Sequence, residues 1–145
     1  MADHNIVPAG NGLPATARRL LIVEDEVMVA WALVETVHEL GWKVCGTVAT
    51  QEEAVAAASD LKPDAILMDY RLAHGGGGLE AARRIREATD IPIIFCTAYG
   101  NGLRSELTSV SGVQLVSKPV QPSSLQAALA AVADKVAVEG GRGDG

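Results

Sequence analysis

Three aliphatic runs without a polar interior position, Leu20-Leu21-Ile22-Val23, Ala65-Ile66-Leu67-Met68 and Ile93-Ile94-Phe95-Cys96, punctuate the chain. A fourth, Val113-Gln114-Leu115-Val116, is close to them in kind. Short runs rich in aliphatics are the pattern of strands buried on both faces of a parallel sheet. Between the runs the apolar spacing changes to a helical one. A first helix should start near Glu26 and stop at Gly41, because acidic residues suit a helix N-terminus and glycine the position just past its end. A strand over about Lys43 to Ala49 follows. Thr50 and Glu53 then form a capping-box arrangement that opens an Ala-rich helix to about Leu61, closed by Pro63. A third helix is expected over Leu79 to Ala88, with Leu79, Ala82 and Ile85 on one face and Arg83, Arg84, Arg86 and Glu87 mostly outside. Leu103, Leu107 and Val110 suggest a helix over 101–110. Gln121 and Pro122 suit the cap and first turn of a last helix, with Leu125, Ala128, Leu129, Val132 and Val136 facing inward.

Strands alternating with helices predict βαβ units, hence an α/β fold with a parallel sheet and helices on both faces. Residues 1–17 have no periodicity and read as a flexible leader, residues 139–145 as a Gly-rich flexible tail, and residues 18–138 as one folded domain. The chain has 145 residues, 48% of them hydrophobic, enough for one core and too few for two ordinary domains.

The polar residues that end the four runs are Glu24-Asp25, Asp69, Thr97 and, shortly after the last run, Lys118. In an open α/β sheet function collects at the carboxyl ends of the strands. Three carboxylates gathered there repel one another, and a hard divalent cation is the usual means of stabilising such a cluster. A hydroxyl and an ammonium complete a set able to transfer a phosphoryl group. Singly, each has a plain alternative: an Asp ending a strand is commonly a turn former, and a lone Lys a solvated charge.

The net charge of −6 argues against direct binding to nucleic acid or an anionic membrane. No signal segment or transmembrane window is apparent, which predicts a cytoplasmic protein. Cys45 and Cys96 both fall in apolar runs and read as small hydrophobes rather than a disulfide. His4, His38 and His74 lack ligand spacing and are assigned no metal. Gly75 to Gly78 lacks the ending of a phosphate-binding loop and reads as a flexible loop.

With these residues in view, the chain resembles the receiver domain of bacterial two-component response regulators over nearly all of its folded body. That family places an acidic pair after the first strand, a phosphoacceptor Asp at the end of the third, Thr or Ser at the end of the fourth and Lys-Pro at the end of the fifth, matched here by Glu24-Asp25, Asp69, Thr97 and Lys118-Pro119. The resemblance implies a flavodoxin-like doubly wound sheet of five parallel strands, order 2-1-3-4-5, with five flanking helices. It implies that Asp69 accepts a phosphoryl group from a sensor histidine kinase or phosphotransfer protein, and that Glu24, Asp25, Asp69 and the backbone carbonyl of Arg71 hold Mg²⁺. Thr97 and Lys118 would stabilise the phosphoryl oxygens. The Lys118-Pro119 bond is a candidate cis peptide. Arg71 and Tyr99 occupy positions that in the family line the path of the hydrolytic water.

The pattern also departs from the family. No Pro stands between Asp69 and the glycine run, and Leu115 stands where the family's switch mechanism places an aromatic ring. Phe95-Cys96-Thr97-Ala98-Tyr99-Gly100 is similar to the Phe-Ala-Thr-Gly-hydrophobic-Tyr signature of a subgroup of mostly single-domain alphaproteobacterial regulators, with departures at Ala98 and Gly100. Phosphorylation is therefore expected to act by drawing Thr97 inward and ordering Gly100 to Val110. A stand-alone receiver is expected, signalling by contact with a downstream protein target or acting as a phosphate sink. The first helix carries more apolar residues than one buried stripe needs, which suits a partner surface, a homodimer interface or a broad core face. Two other readings stand beside this one: a pseudo-receiver that binds proteins without being phosphorylated, and a flavodoxin-like cofactor binder on the same fold.

Overall fold

A computed structural model describes residues 17–72, 77–98, 110 and 112–144. Five strands, β1 (Arg19–Val23), β2 (Lys43–Val48), β3 (Ala65–Asp69), β4 (Ile93–Thr97) and β5 (Val113–Ser117), form one parallel sheet in the order β2-β1-β3-β4-β5. The helices are α1 (Val27–Glu39), α2 (Gln51–Leu61), α3 (Gly78–Ala88) and α4 (Pro122–Asp144). The expected helix over 101–110 lies, save for Val110, outside the described residues.

Period-two alternation sorts each strand's side chains between two cores. Leu21, Val23, Ile66, Met68, Ile93 and Phe95 face the alanines of α2 and Ala81, Ala82 and Ile85 of α3. Leu20, Ile22, Leu67, Ile94 and Cys96 face Leu33, Val34 and Val37 of α1 and Leu125, Ala128, Leu129 and Val132 of α4. The three central strands are thus buried on both sides, which is why their sequence runs show no polar interior position. Cys45 and Cys96 are buried, unpaired and in opposite cores.

The local signals act as their chemistry requires. Gly41 takes φ +92 just past α1, a conformation that glycine adopts without steric cost. Thr50 Oγ1 accepts from the Glu53 amide at 3.1 Å, and the Glu53 carboxylate accepts from the Ala49 amide at 2.9 Å, one residue further back than an ordinary capping box. Lys62 closes α2 at φ +49, a left-handed position filled without glycine.

β1 and β2 slip register between Leu20 and Leu21. Two helices have bounds other than those read from the sequence. Helix α3 starts at Gly78 rather than Leu79, so the last glycine of the run is helical and buried instead of part of a loop. Helix α4 continues past Val138 through Gly140, Gly141 and Gly143. Extending an existing helix adds one hydrogen bond per residue fixed, whereas starting one is costly, so a glycine-rich end can follow a well-nucleated helix.

Candidate phosphoacceptor site

Sheet register gathers the polar residues. Val23 pairs with Met68, so Glu24 and Asp69, the next residues of neighbouring strands, emerge side by side. Thr97 pairs with Ser117, and the Lys118 amide donates to the Thr97 carbonyl at 2.9 Å. All these residues leave the sheet at its carboxyl edge.

One carboxylate oxygen from each of Glu24, Asp25 and Asp69 lies within 4.8 Å of the other two. Octahedral Mg²⁺, with oxygens at about 2.1 Å, needs ligand oxygens roughly 3 to 4 Å apart, so a small contraction suits this all-oxygen set to that ion. Lys118 Nζ stands 3.0 Å from Asp69 Oδ1. The same oxygen accepts from the Arg71 amide at 3.2 Å. Glu24, Asp69 and Thr97 are buried and Asp25 is half-buried. The Lys118-Pro119 peptide is cis, as expected.

Burial pushes the Glu24 carboxyl up to about 7. The Glu26 amide, donating to Glu24 Oε2 at 3.1 Å, opposes this rise; the negative charge of Asp69 adds to it. Burial alone would lower Lys118, but its hydrogen bond to Asp69 and the negative charges of Asp69 and Glu24 outweigh that and raise it. The pair therefore keeps the ammonium charged beside the Asp69 carboxylate. Cys96, next to Thr97, is pushed up to about 12 by burial and stays an inert thiol.

The candidate residues Glu24, Asp25, Asp69 and Lys118 are thus in one cluster, with Thr97 joined to Lys118 through the backbone. Tyr99 and Gly100 lie outside the described residues. Leu115 is half-buried against the core that holds Phe95, in place of an aromatic ring. His38 is half-buried at the end of α1 and accepts weakly from the Val44 amide at 3.5 Å. Reading the sequence alone missed Gly78, whose only signal was the unbroken glycine run before α3.

Comparison with known proteins decides the family. The response regulator receiver domain model matches residues 20–130. The chain belongs to the receiver domain family of response regulators. It is 39% identical over 127 residues to the phyllosphere-induced regulator PhyR of Methylorubrum extorquens, a match that covers 83% of this chain and 46% of that protein. The crystal structure of the anti-anti-sigma factor PhyR from Bartonella quintana superposes with a TM-score of 0.75 at 31% identity, over 86% of this chain and 51% of that one. The chain therefore spans about half the length of these PhyR relatives. The receiver domain of a sensor histidine kinase from Pseudomonas aeruginosa PAO1, solved with magnesium coordinated in its active site cleft, matches with a TM-score of 0.67 at 31% identity, over 77% of this chain and 93% of that one. The PhyR likeness agrees with the alphaproteobacterial subgroup suggested by the residues around Thr97.

Proposed function

We propose that this receiver accepts a phosphoryl group on Asp69 from a histidine kinase or phosphotransfer protein, in a magnesium-dependent reaction, and passes the signal on by protein contact. The observation that carries this reading is the largely buried acidic cluster with Lys118 held 3.0 Å from Asp69. Glu24, Asp25, Asp69 and the Arg71 carbonyl would hold Mg²⁺, which when bound neutralises charge on the transferring oxygens. An Asp69 carboxylate oxygen attacks phosphorus, and the donor's imidazole leaves with the electron pair of the broken bond. Lys118, released from Asp69 Oδ1, then neutralises one phosphoryl oxygen, and the Thr97 hydroxyl donates to another. The chain catalyses its own phosphorylation and dephosphorylation and is not otherwise an enzyme.

The donor's docking surface is proposed to be the start of α1. Val27 is 64% exposed, Met28 81% and Trp31 46%, on the helix that begins two residues after Asp25. A donor seated there has its phosphohistidine near Asp69. Likeness to an anti-anti-sigma factor favours a protein as the downstream target, such as an anti-sigma factor, over nucleic acid. Among the described residues no helix is long and apolar enough to cross a membrane. A cytoplasmic place, residues 18–138 as the receiver unit, and signalling by contact or service as a phosphate sink complete the proposal.

Intact mass after incubation with Mg²⁺ and acetyl phosphate tests it. A gain of one phosphoryl group, abolished in Asp69→Ala and without magnesium, is the expected result. No gain from acetyl phosphate or from a phosphorylated kinase would refute the reading and leave the protein-binding pseudo-receiver.

A further inference from the structure

The two peptide groups that follow Asp69 are each held from both sides. In the first, Asp69 to Tyr70, the Tyr70 N–H donates to the Cys96 carbonyl of β4 at 3.0 Å. Its other end, the Asp69 carbonyl oxygen, lies where a side chain on residue 78 would begin. A Cβ there would overlap that oxygen and stand 3.0 Å from the Tyr70 carbonyl oxygen and 3.1 Å from the Tyr70 Cα. In the second peptide, Tyr70 to Arg71, the carbonyl accepts from the Gly78 N–H at 2.8 Å. The N–H of that same peptide donates to Asp69 Oδ1 at 3.2 Å. Because a peptide group is planar, fixing its carbonyl aims its N–H. The Tyr70 ring, edge-on to Phe95 with centroids 5.9 Å apart, holds the residue from a third direction.

We infer that Gly78 is a positioning residue for the phosphoacceptor: its amide fixes the Tyr70–Arg71 peptide, whose N–H holds Asp69 Oδ1, and its missing side chain lets α3 seat on the Asp69 backbone. The chain of contact runs from the first turn of α3 through one peptide plane to the carboxylate. The same plane precedes the Arg71 carbonyl assigned above to magnesium. The inference rests on the reading of Asp69 as phosphoacceptor and deepens it.

Gly77 supplies the control, since among the described residues a Cβ there would meet only the Tyr70 carbonyl oxygen, at an ordinary 3.8 Å. Gly78→Ala and Gly77→Ala are compared with the parent by far-UV circular dichroism, denaturation midpoint, Mg²⁺ calorimetry and rate of mass gain from acetyl phosphate. Gly78→Ala is expected to stay folded, bind Mg²⁺ at least tenfold more weakly and phosphorylate at least tenfold more slowly. Gly77→Ala should stay within twofold of the parent in both. A Gly78→Ala protein that loses only stability, with Mg²⁺ affinity and phosphorylation within twofold, overturns the inference while leaving the reading of Asp69 intact. A parent that neither binds Mg²⁺ nor gains mass overturns the reading and the inference with it. If Gly78→Ala does not fold, amide NMR on the parent decides. Slowed exchange at both Gly78 and Arg71, with both resonances moving on Mg²⁺ addition, supports the inference; a Gly78 amide that exchanges as in a free peptide or ignores Mg²⁺ overturns it.

Discussion

Magnesium affinity should fall about tenfold between pH 8 and pH 6 because Glu24 must lose a proton to serve as a ligand. Its carboxyl, pushed up to about 7 by burial, is about nine-tenths protonated at pH 6 and one-tenth at pH 8. Apparent affinity scales with the ionised fraction, and the ratio of those fractions is about 10, or about 1.4 kcal/mol. The sign for folding follows from the same shift. A carboxyl raised from 4.5 to about 7 gives the metal-free protein stability that is fully present below pH 4.5 and lost as pH rises through 7. The whole effect is bounded by roughly 3 kcal/mol and reduced by solvent screening at the mouth of the site. Magnesium should therefore stabilise the protein more at pH 8 than at pH 6. Calorimetry at several pH values measures the affinity, and repeating it in buffers of different ionisation enthalpy at pH 7 should count about half a proton released. Glu24→Gln should bind more weakly with a flat profile over this range. Equal affinity of the parent at pH 6 and 8, or a tenfold slope surviving in Glu24→Gln, would refute the reasoning.

Other outcomes follow from the same geometry. Lys118→Ala should slow phosphorylation by acetyl phosphate by about 10- to 100-fold, the scale of losing one preorganised charge donor, with Mg²⁺ binding retained; quenched-flow mass analysis would show it, and an unchanged rate would remove Lys118 from the chemistry. Met28→Ala and Trp31→Ala should leave stability within about 0.5 kcal/mol, as exposed positions do, yet slow transfer from a protein donor while sparing acetyl phosphate. Thr50→Ala should cost about 1 kcal/mol through its lost amide bond, and Phe95→Ala about 3 to 5 kcal/mol through the cavity left in the core, both read from urea denaturation. Arg71→Ala should change the lifetime of the aspartyl phosphate more than its yield, measured as loss of the added mass with time.

Much of this molecule is legible in its sequence because local chemistry and tertiary packing agree. Buried strands must be apolar on both faces, and the polar side chains that follow such a run mark where the strand leaves the core. Glu24, Asp69, Thr97 and, one residue past Ser117, Lys118 therefore announce the functional edge of the sheet, while Gly41 and Thr50 fix helix ends through backbone conformation and capping that each residue carries with it. The order of the strands was reached only through family resemblance, because alternation says that a residue is buried and not which strand lies beside it. Pairing of Val23 with Met68 decides that Glu24 meets Asp69, which brings the carboxylates together and adds the charge of Asp69 to the burial that raises the Glu24 carboxyl. Whether the apolar surplus of α1 is core or surface likewise waited on packing: the sheet covers Ala30, Leu33, Val34 and Val37 and leaves Val27, Met28 and Trp31 outside. Gly78 is the sharpest case. A glycine in a run of glycines looks like slack, and only the close approach of α3 to the Asp69 backbone gives its missing side chain a purpose, since steric exclusion exists between segments that the chain brings together and not within either one.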